Sequence, residues 1–207
     1  MSRRLAALVL AAGGSSRLGH PKQLVEFQGE RLLDRAIRIA HQAGASPVFV
    51  VLGAECEQML AALEANAYQP RILINKAWTS GMASSLRLGA AAAERDGVDN
   101  LLVLACDQPS VTADHLLRLV EVSKREHVVA SHYRSRRGIP ALFPDFAFHA
   151  LQDLTGDTGA RDLLQDDAVL TVVLPVGEFD IDTHEDLLRL QAWDRQGGPS
   201  GNKQVSA

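Results

Sequence analysis

Short continuous apolar runs alternate along the chain with longer segments whose apolar residues recur at helical spacing. The run Leu5-Ala6-Ala7-Leu8-Val9-Leu10-Ala11 has no polar face, as expected of a strand covered on both sides in a parallel sheet. Further strands are predicted at Val48–Leu52, which Gly53 ends, at Arg71–Ile74, and at 101–105, 128–131, 140–143 and 169–174. Helices are predicted at 32–43, ended by Gly44, and at 59–65, 84–94 and 159–165. Thr112 or Asp114 would cap a helix running to Ser123, and Thr183 a last helix reaching about Trp193. Strands separated by helices need crossover connections, so the pattern predicts an α/β fold with a mostly parallel sheet. Right-handed crossovers collect the loops after the first strands along one sheet edge, where ligands bind in open α/β folds. The chemistry is therefore expected at strand C-terminal ends.

Composition narrows the class. With 207 residues, 46% hydrophobic and 22% charged, the chain fits one ordinary domain and excludes collagenous, low-complexity or wholly disordered classes. No internal repeat is visible. Residues 1–194 are assigned to the domain, and 195–207, rich in Gly and polar residues, to a disordered tail. The 21 basic and 25 acidic residues give a net charge of −4, which argues against a broad nucleic-acid-binding surface. An anionic ligand must then be met locally. Cys56 and Cys106 form no CxxC pair, so neither a disulfide framework nor a zinc pattern is present, and a reducing cytoplasm is expected. The longest apolar run, 5–12, is far shorter than the ~20 residues that span a bilayer, so no membrane association is expected. Arg3 and Arg4 imitate the start of a signal peptide, but Gly13 to Arg17 follow without a small-residue cleavage stretch, which favours a soluble, unprocessed protein.

The most informative segment follows the first strand: Leu10-Ala11-Ala12-Gly13-Gly14-Ser15-Ser16-Arg17-Leu18-Gly19-His20-Pro21-Lys22. Glycines beside small hydroxyl residues let successive backbone N–H groups cradle phosphate oxygens, and Arg17 and Lys22 supply positive charge. The competing reading is an ordinary Gly-rich turn with surface cations. The segment is not a Walker loop, because His20-Pro21 stands where Lys-Ser/Thr is required. Nor is it a dinucleotide fingerprint, since Ser16 takes the middle Gly position and Pro21 interrupts the helix. His20 reads as a surface residue, and the histidines show no metal-ligand spacing.

LAAGGSSRLGHPK resembles the L-A-[AG]-G-x-S-x-R-[ML]-G-x-x-K signature of the MobA-like nucleotidyltransferases. Five further blocks agree in order: Gly81 to Leu86, Cys106 to Pro109, Gly138 to Phe143, Leu154 to Arg161, and Asp180 to Leu187. The resemblance spans about residues 5–190. It implies a single-domain, Rossmann-like three-layer sandwich of the nucleotide-diphospho-sugar transferase type. The LAAG opening is similar to that of the molybdenum-cofactor cytidylyltransferases, whereas the guanylyltransferases tend to open LAGG. CTP and molybdopterin are the implied substrates, with GTP, methylerythritol phosphate or a sugar phosphate as alternatives, or a nucleotide-binding sensor or chaperone without turnover. Transient contact with a molybdoenzyme or its chaperone is a further implied partnership.

Asp107 ends the apolar run LLVLAC, so its carboxylate is expected at the C-terminal edge of a central strand, where Mg²⁺ shared with triphosphate oxygens would be held. The resemblance implies Asp182 as second ligand; its alternative role is helix capping beside Thr183. Asp180, two residues away, is assigned to the opposite side of the segment. Gly81, Met82, Ser84 and Ser85 open a helix and are assigned to base or ribose contact, with capping by Thr79 or Ser80 as the structural alternative. Gly53 is assigned to the same crevice or to a plain turn. Arg134, Arg136 and Arg137 form a basic turn, read either as an acceptor-phosphate lid or as a solvated hairpin. Arg161 would pair with Asp157 on the acceptor side or sit in a helix salt bridge. A phosphate nucleophile is already ionised, so no Ser-His-Asp arrangement is required.

Overall fold

The computed structural model describes residues 4–195, apart from 125 and 158. The unbroken apolar run becomes β1 (Leu5–Ala11), inside the sheet between β4 (Val48–Leu52) and β6 (Asn100–Ala105) and parallel to both. Beyond β4 the sheet ends on β5 (Arg71–Ile74), also parallel. On the other side β8 (Arg136–Pro144) pairs antiparallel with β6, and β7 (Val129–Tyr133) antiparallel with β8. The last strand, β9 (Leu170–Val173), runs parallel to β7. Among the described residues the main sheet has seven strands, and β8 alone opposes the others. A small separate hairpin joins β2 (Glu26–Phe27) to β3 (Glu30–Arg31).

Both faces of the sheet are covered, which explains why β1 and β6 carry no polar alternation. One face takes α1 (Leu32–Gln42), α2 (Cys56–Leu63) and α4 (Ala113–Ser123), through Leu33, Ile37, Met59, Leu116 and Leu119. The other takes α3 (Met82–Arg95), α5 (Phe148–Gln152) and α6 (Arg161–Leu164), through Leu86, Ala90, Phe148, Leu151 and Leu164. This is the α/β architecture that the pattern predicts, in the three layers that the resemblance implies. A third cluster joins Leu18, Val25, Phe27, Leu32, Phe179, Ile181 and Leu190, with Trp193 of α7 (His184–Arg195) packed on it.

Helix ends are set by local chemistry. Thr112, rather than Asp114, caps α4: its hydroxyl accepts from the His115 N–H at 3.2 Å. Thr183 and Asp186 cap α7 reciprocally, each side chain accepting from the other's backbone N–H, at 3.2 and 2.9 Å. That helix includes Arg195, the first residue of the expected tail, and 196–207 lie outside the described residues. No helix among the described residues is long and apolar enough to cross a membrane.

The chain lays down β1, β4 and β5 to one side and then returns to place β6 on the other side of β1. The β1–β6 gap is thus a topological switch point, where the carboxyl ends of diverging strands leave a crevice. The loop after β1 and Asp107 after β6 both emerge there.

A buried polar pair ties α4 to the antiparallel side of the sheet. His115 Nε2 meets Ser131 Oγ at 2.7 Å, and that hydroxyl donates to the Pro140 carbonyl at 2.6 Å. Burial, assisted by Arg118, lowers the His115 pKa from 6.5 to about 4. The unfolded chain therefore takes up a proton near pH 6.5 that the folded one refuses until about pH 4. Stability from this site is complete above pH 6.5 and lost below it, by on the order of 3 kcal/mol at pH 4. Thermal unfolding of His115→Gln against wild type should show the variant less stable at pH 8, with the gap narrowing towards pH 4. A constant gap would exclude His115 as the source of that acid sensitivity.

Candidate functional site

The loop after β1 is anchored from within. Ala12 carbonyl accepts from the Ala54 N–H at 3.1 Å, and Leu18 sinks into the third cluster beside Ile181. Ser15 adopts a left-handed φ of 48°, which turns the chain so that Leu18 and Gly19 both donate to its carbonyl, at 3.0 and 3.1 Å. The Ser15 hydroxyl accepts from the Lys22 N–H at 3.0 Å and so fixes the start of a single 3₁₀ turn, Lys22–Leu24. Among the described residues, no acceptor meets the backbone N–H groups of Gly14, Ser15, Ser16 and Arg17, and none of the four residues is buried. Four successive donors are thus left without an internal acceptor at the C-terminal end of β1, the arrangement on which anion-binding loops are built.

Three segments converge beneath them. Cys106 N–H donates to the Leu10 carbonyl at 3.3 Å, extending the β1–β6 pairing to the residue before Asp107. Ile181, fully buried, donates its N–H to the Asp107 carbonyl at 3.0 Å and holds the 180–182 segment against the strand end. Lys22 Nζ then contacts both Asp107 Oδ2 and Asp182 Oδ1, the latter at 2.9 Å, and Arg17 reaches Asp182 Oδ2 at 2.8 Å. Two cations and two carboxylates thus neutralise one another. Burial alone would lower the pKa of the Lys22 ammonium, but Asp107 and Asp182 outweigh it and hold it above the usual lysine value. Burial likewise opposes ionisation of Asp182, yet Lys22 and Arg17 keep its pKa below the ordinary carboxylate range.

Asp180 joins this group, contrary to the opposite placement expected of it: residues two apart on an extended chain share a face, although 180–182 form no strand. The Asp180 carboxylate accepts from Gln108 Nε2 at 3.1 Å. Burial first, and then the neighbouring Asp107, pushes its pKa up to about 6.

On the β4–β5 side, Trp78 is wedged against the crevice. A Cβ on Gly53 would stand 2.6 Å from the Trp78 Cβ and 2.8 Å from the Ala12 carbonyl oxygen, so this glycine is required for close approach. A Cβ on Gly14 would lie 3.3 Å from the far edge of the indole. Asn75, buried after β5, donates to the hydroxyls of Ser84 and Ser85 at 2.8 and 3.0 Å. Ser84 also donates to the carbonyls of Gly81 and Ala77. These two serines are buried and committed to holding the start of α3. The N-cap position belongs to Gly81 rather than Thr79 or Ser80. Met82 is exposed, and Gly81 has a φ of 105° that a side chain would strain.

The basic turn is tied into the fold. Arg134 pairs with Glu178 at 3.1 Å, Arg136 lies over the Tyr133 ring, and Arg137 donates to the Asp166 carbonyl at 2.7 Å. Arg161, exposed at the start of α6, makes neither anticipated pairing among the described residues. Its expected partner Asp157 instead lies over Gly81, where a Cβ would come within 2.0 Å of its Oδ1.

Sequence reasoning missed Gln23, Trp78 and the Gln108–Asp180 contact. Gln23 stands directly after Lys22, and its signal is a polar residue opening the otherwise apolar Gln-Leu-Val step, which a period cannot interpret.

A model of the MobA-like NTP transferase domain matches residues 7–171. Nicotine blue oxidoreductase of Paenarthrobacter nicotinovorans is 32% identical over 196 residues, covering 88% of this chain and 94% of that protein. A probable molybdenum cofactor guanylyltransferase of Opitutus terrae is 34% identical over 141 residues, covering 68% and 66%. The crystal structure of Rv0371c from Mycobacterium tuberculosis superposes with a TM-score of 0.77 at 28% identity, covering 92% of this chain and 99% of that one. A manganese complex of Rv0371c matches at 25% identity with a TM-score of 0.74, covering 90% and 97%.

Proposed function

We propose, for a chain that belongs to the MobA-like NTP transferase family, that this nucleotidyltransferase moves CMP from CTP to the phosphate of molybdopterin with a divalent cation, Mg²⁺ above all. The carrying observation is Lys22, whose ammonium touches both Asp107 and Asp182 directly below a loop with four free N–H groups. Polyphosphate binds the loop amides and draws Arg17 and Lys22 off the carboxylates. A phosphate oxygen of the acceptor attacks the α-phosphorus, a new P–O bond forms, and the α–β bridging P–O bond breaks with its electrons leaving on pyrophosphate. Because the nucleophile is an anion, the protein's part is alignment and charge neutralisation.

The donor set fits a hard cation. Asp107 and Asp182 already meet at one positive charge, and carboxylate oxygens suit Mg²⁺. These two residues would hold it, and when bound it supplies charge for the leaving pyrophosphate. That the similar Rv0371c forms a manganese complex supports a divalent cation here.

The base preference rests on Ala12, the position at which the LAAG opening differs from LAGG; it is buried in the cluster on the α3 face, and its carbonyl accepts from the Ala54 N–H beside Gly53. In a screen of NTPs with molybdopterin, pyrophosphate release is expected to be fastest with CTP. Ala12→Gly should shift kcat/KM towards GTP by about 10-fold or more. GTP preference in the wild type would overturn the base assignment. Release only with a sugar phosphate or methylerythritol phosphate would overturn the acceptor. The product would be handed to a molybdoenzyme or its chaperone, in the cytoplasm.

A second reading follows from the relative named nicotine blue oxidoreductase, which spans nearly the same length. A nicotinamide dinucleotide also carries a diphosphate that the loop amides would meet. Oxidation of NADH or NADPH with a dye acceptor, without pyrophosphate release from any NTP, would establish that reading and reject transfer.

A further inference from the structure

Gln23 is 1% exposed and packs beneath the loop after β1. Its Nε2 donates to two carbonyls, Ala11 at 2.8 Å and Gly13 at 3.0 Å. The carbonyl between them, Ala12, is taken by Ala54 N–H at 3.1 Å. Three successive carbonyls are therefore turned onto internal donors, and the peptides that follow, from Gly14 to Arg17, present their N–H groups outward. Gln23 Oε1 is buried without a partner. An orphaned acceptor is costly, so an apolar side chain of the same length would suit the position better if only packing mattered. The group retained is a two-donor amide facing two carbonyls.

We propose that Gln23 is a positioning residue for nucleotidyl transfer: it clamps the Ala11 and Gly13 carbonyls so that the free loop amides aim at the nucleotide polyphosphate. It rests on the reading of this loop as a triphosphate cradle. Gln23 also adjoins Lys22 in one 3₁₀ turn, so the clamp and the ammonium are set by the same short piece of backbone. A carboxylate at this position would have the shape without the donors and would face two carbonyl oxygens.

The test compares wild type with Gln23→Met and Gln23→Glu, measuring CTP turnover, calorimetric binding of an α,β-non-hydrolysable CTP analogue, and thermal unfolding. Gln23→Met should keep a wild-type circular dichroism spectrum. Its KM for CTP should rise and its analogue affinity fall by about 10-fold or more, with kcat changed less, because the lost donors act on nucleotide binding. Gln23→Glu should bind more weakly still at pH 8 and recover in part at pH 5.5, where a protonated carboxyl regains one donor. If Gln23→Met does not fold, Gln23→Glu and its pH profile carry the comparison. A lowered melting temperature with unchanged analogue affinity and KM would reduce Gln23 to a packing residue and overturn the proposal. Failure of the wild type itself to bind the analogue and release pyrophosphate would overturn the cradle reading and the Gln23 role together.

Discussion

Replacing Lys22 by Met is expected to lower pyrophosphate release at saturating CTP and molybdopterin by about 10²–10³-fold, the scale of losing one preorganised charge at a transition state. Among the described residues, Lys22 is the one cation that touches both Asp107 and Asp182. Its side chain is only 16% exposed, whereas that of Arg17 is 68% exposed, so Lys22 acts through less screening water. Arg17→Ala should accordingly cost less. The same substitution has a second effect of opposite sign. In the nucleotide-free protein the ammonium occupies the point where the carboxylates converge, and a divalent cation must displace it. Lys22→Met should therefore bind Mn²⁺ more tightly than wild type when titrated without nucleotide and followed by electron paramagnetic resonance. It should also be less stable than wild type without metal, since the partly buried Asp107 carboxylate loses its counter-charge and Asp182 keeps only Arg17. Undiminished turnover, or weaker Mn²⁺ binding, would contradict the role given to this residue.

The parts of this site that sequence discloses are those whose residue type has one physical explanation. An apolar run without alternation fits a doubly covered strand, and β1 and β6 follow it almost residue for residue. Glycines beside Arg17 and Lys22 point to a phosphate loop because few other chemistries use them together. The unread parts depend on tertiary contact. β8 opposes its neighbours, yet a strand's residue pattern reads alike in either direction, and the β2–β3 hairpin is too short to show a period. Ser84 and Ser85 look like ligand hydroxyls in sequence, but Asn75, nine and ten residues earlier, turns both into helix anchors. Asp157 and Arg161 have helical spacing that suggests a pair, while the turn at Gly156 carries Asp157 over Gly81 instead. Asp180 and Asp182, two apart, share a side of the segment, and Ile181 between them is fixed by burial beside Leu18 and by its bond to Asp107, not by a ladder.

Asp107→Asn should abolish most transfer, again by about 10²–10³-fold, while leaving the fold intact. The backbone bond that holds the 180–182 segment uses the Asp107 carbonyl, which the substitution does not alter. What changes is the charge at the switch point. The Asp107 side chain is 14% exposed and that of Asp182 is 37% exposed, so Asp107 contributes the less screened carboxylate and Asp182→Asn should lose less. The two variants also differ in what they leave behind. Without the Asp107 charge, Lys22 retains Asp182, which Arg17 already shares; without Asp182, Lys22 retains a full pair with Asp107 while Arg17 is freed to solvent. Raising the Mn²⁺ concentration should therefore recover part of the Asp182→Asn activity and little of the Asp107→Asn activity. Steady-state pyrophosphate release over a metal titration distinguishes the two, and equal recovery in both would mean that the carboxylates are interchangeable and that burial at the end of β6 confers no advantage.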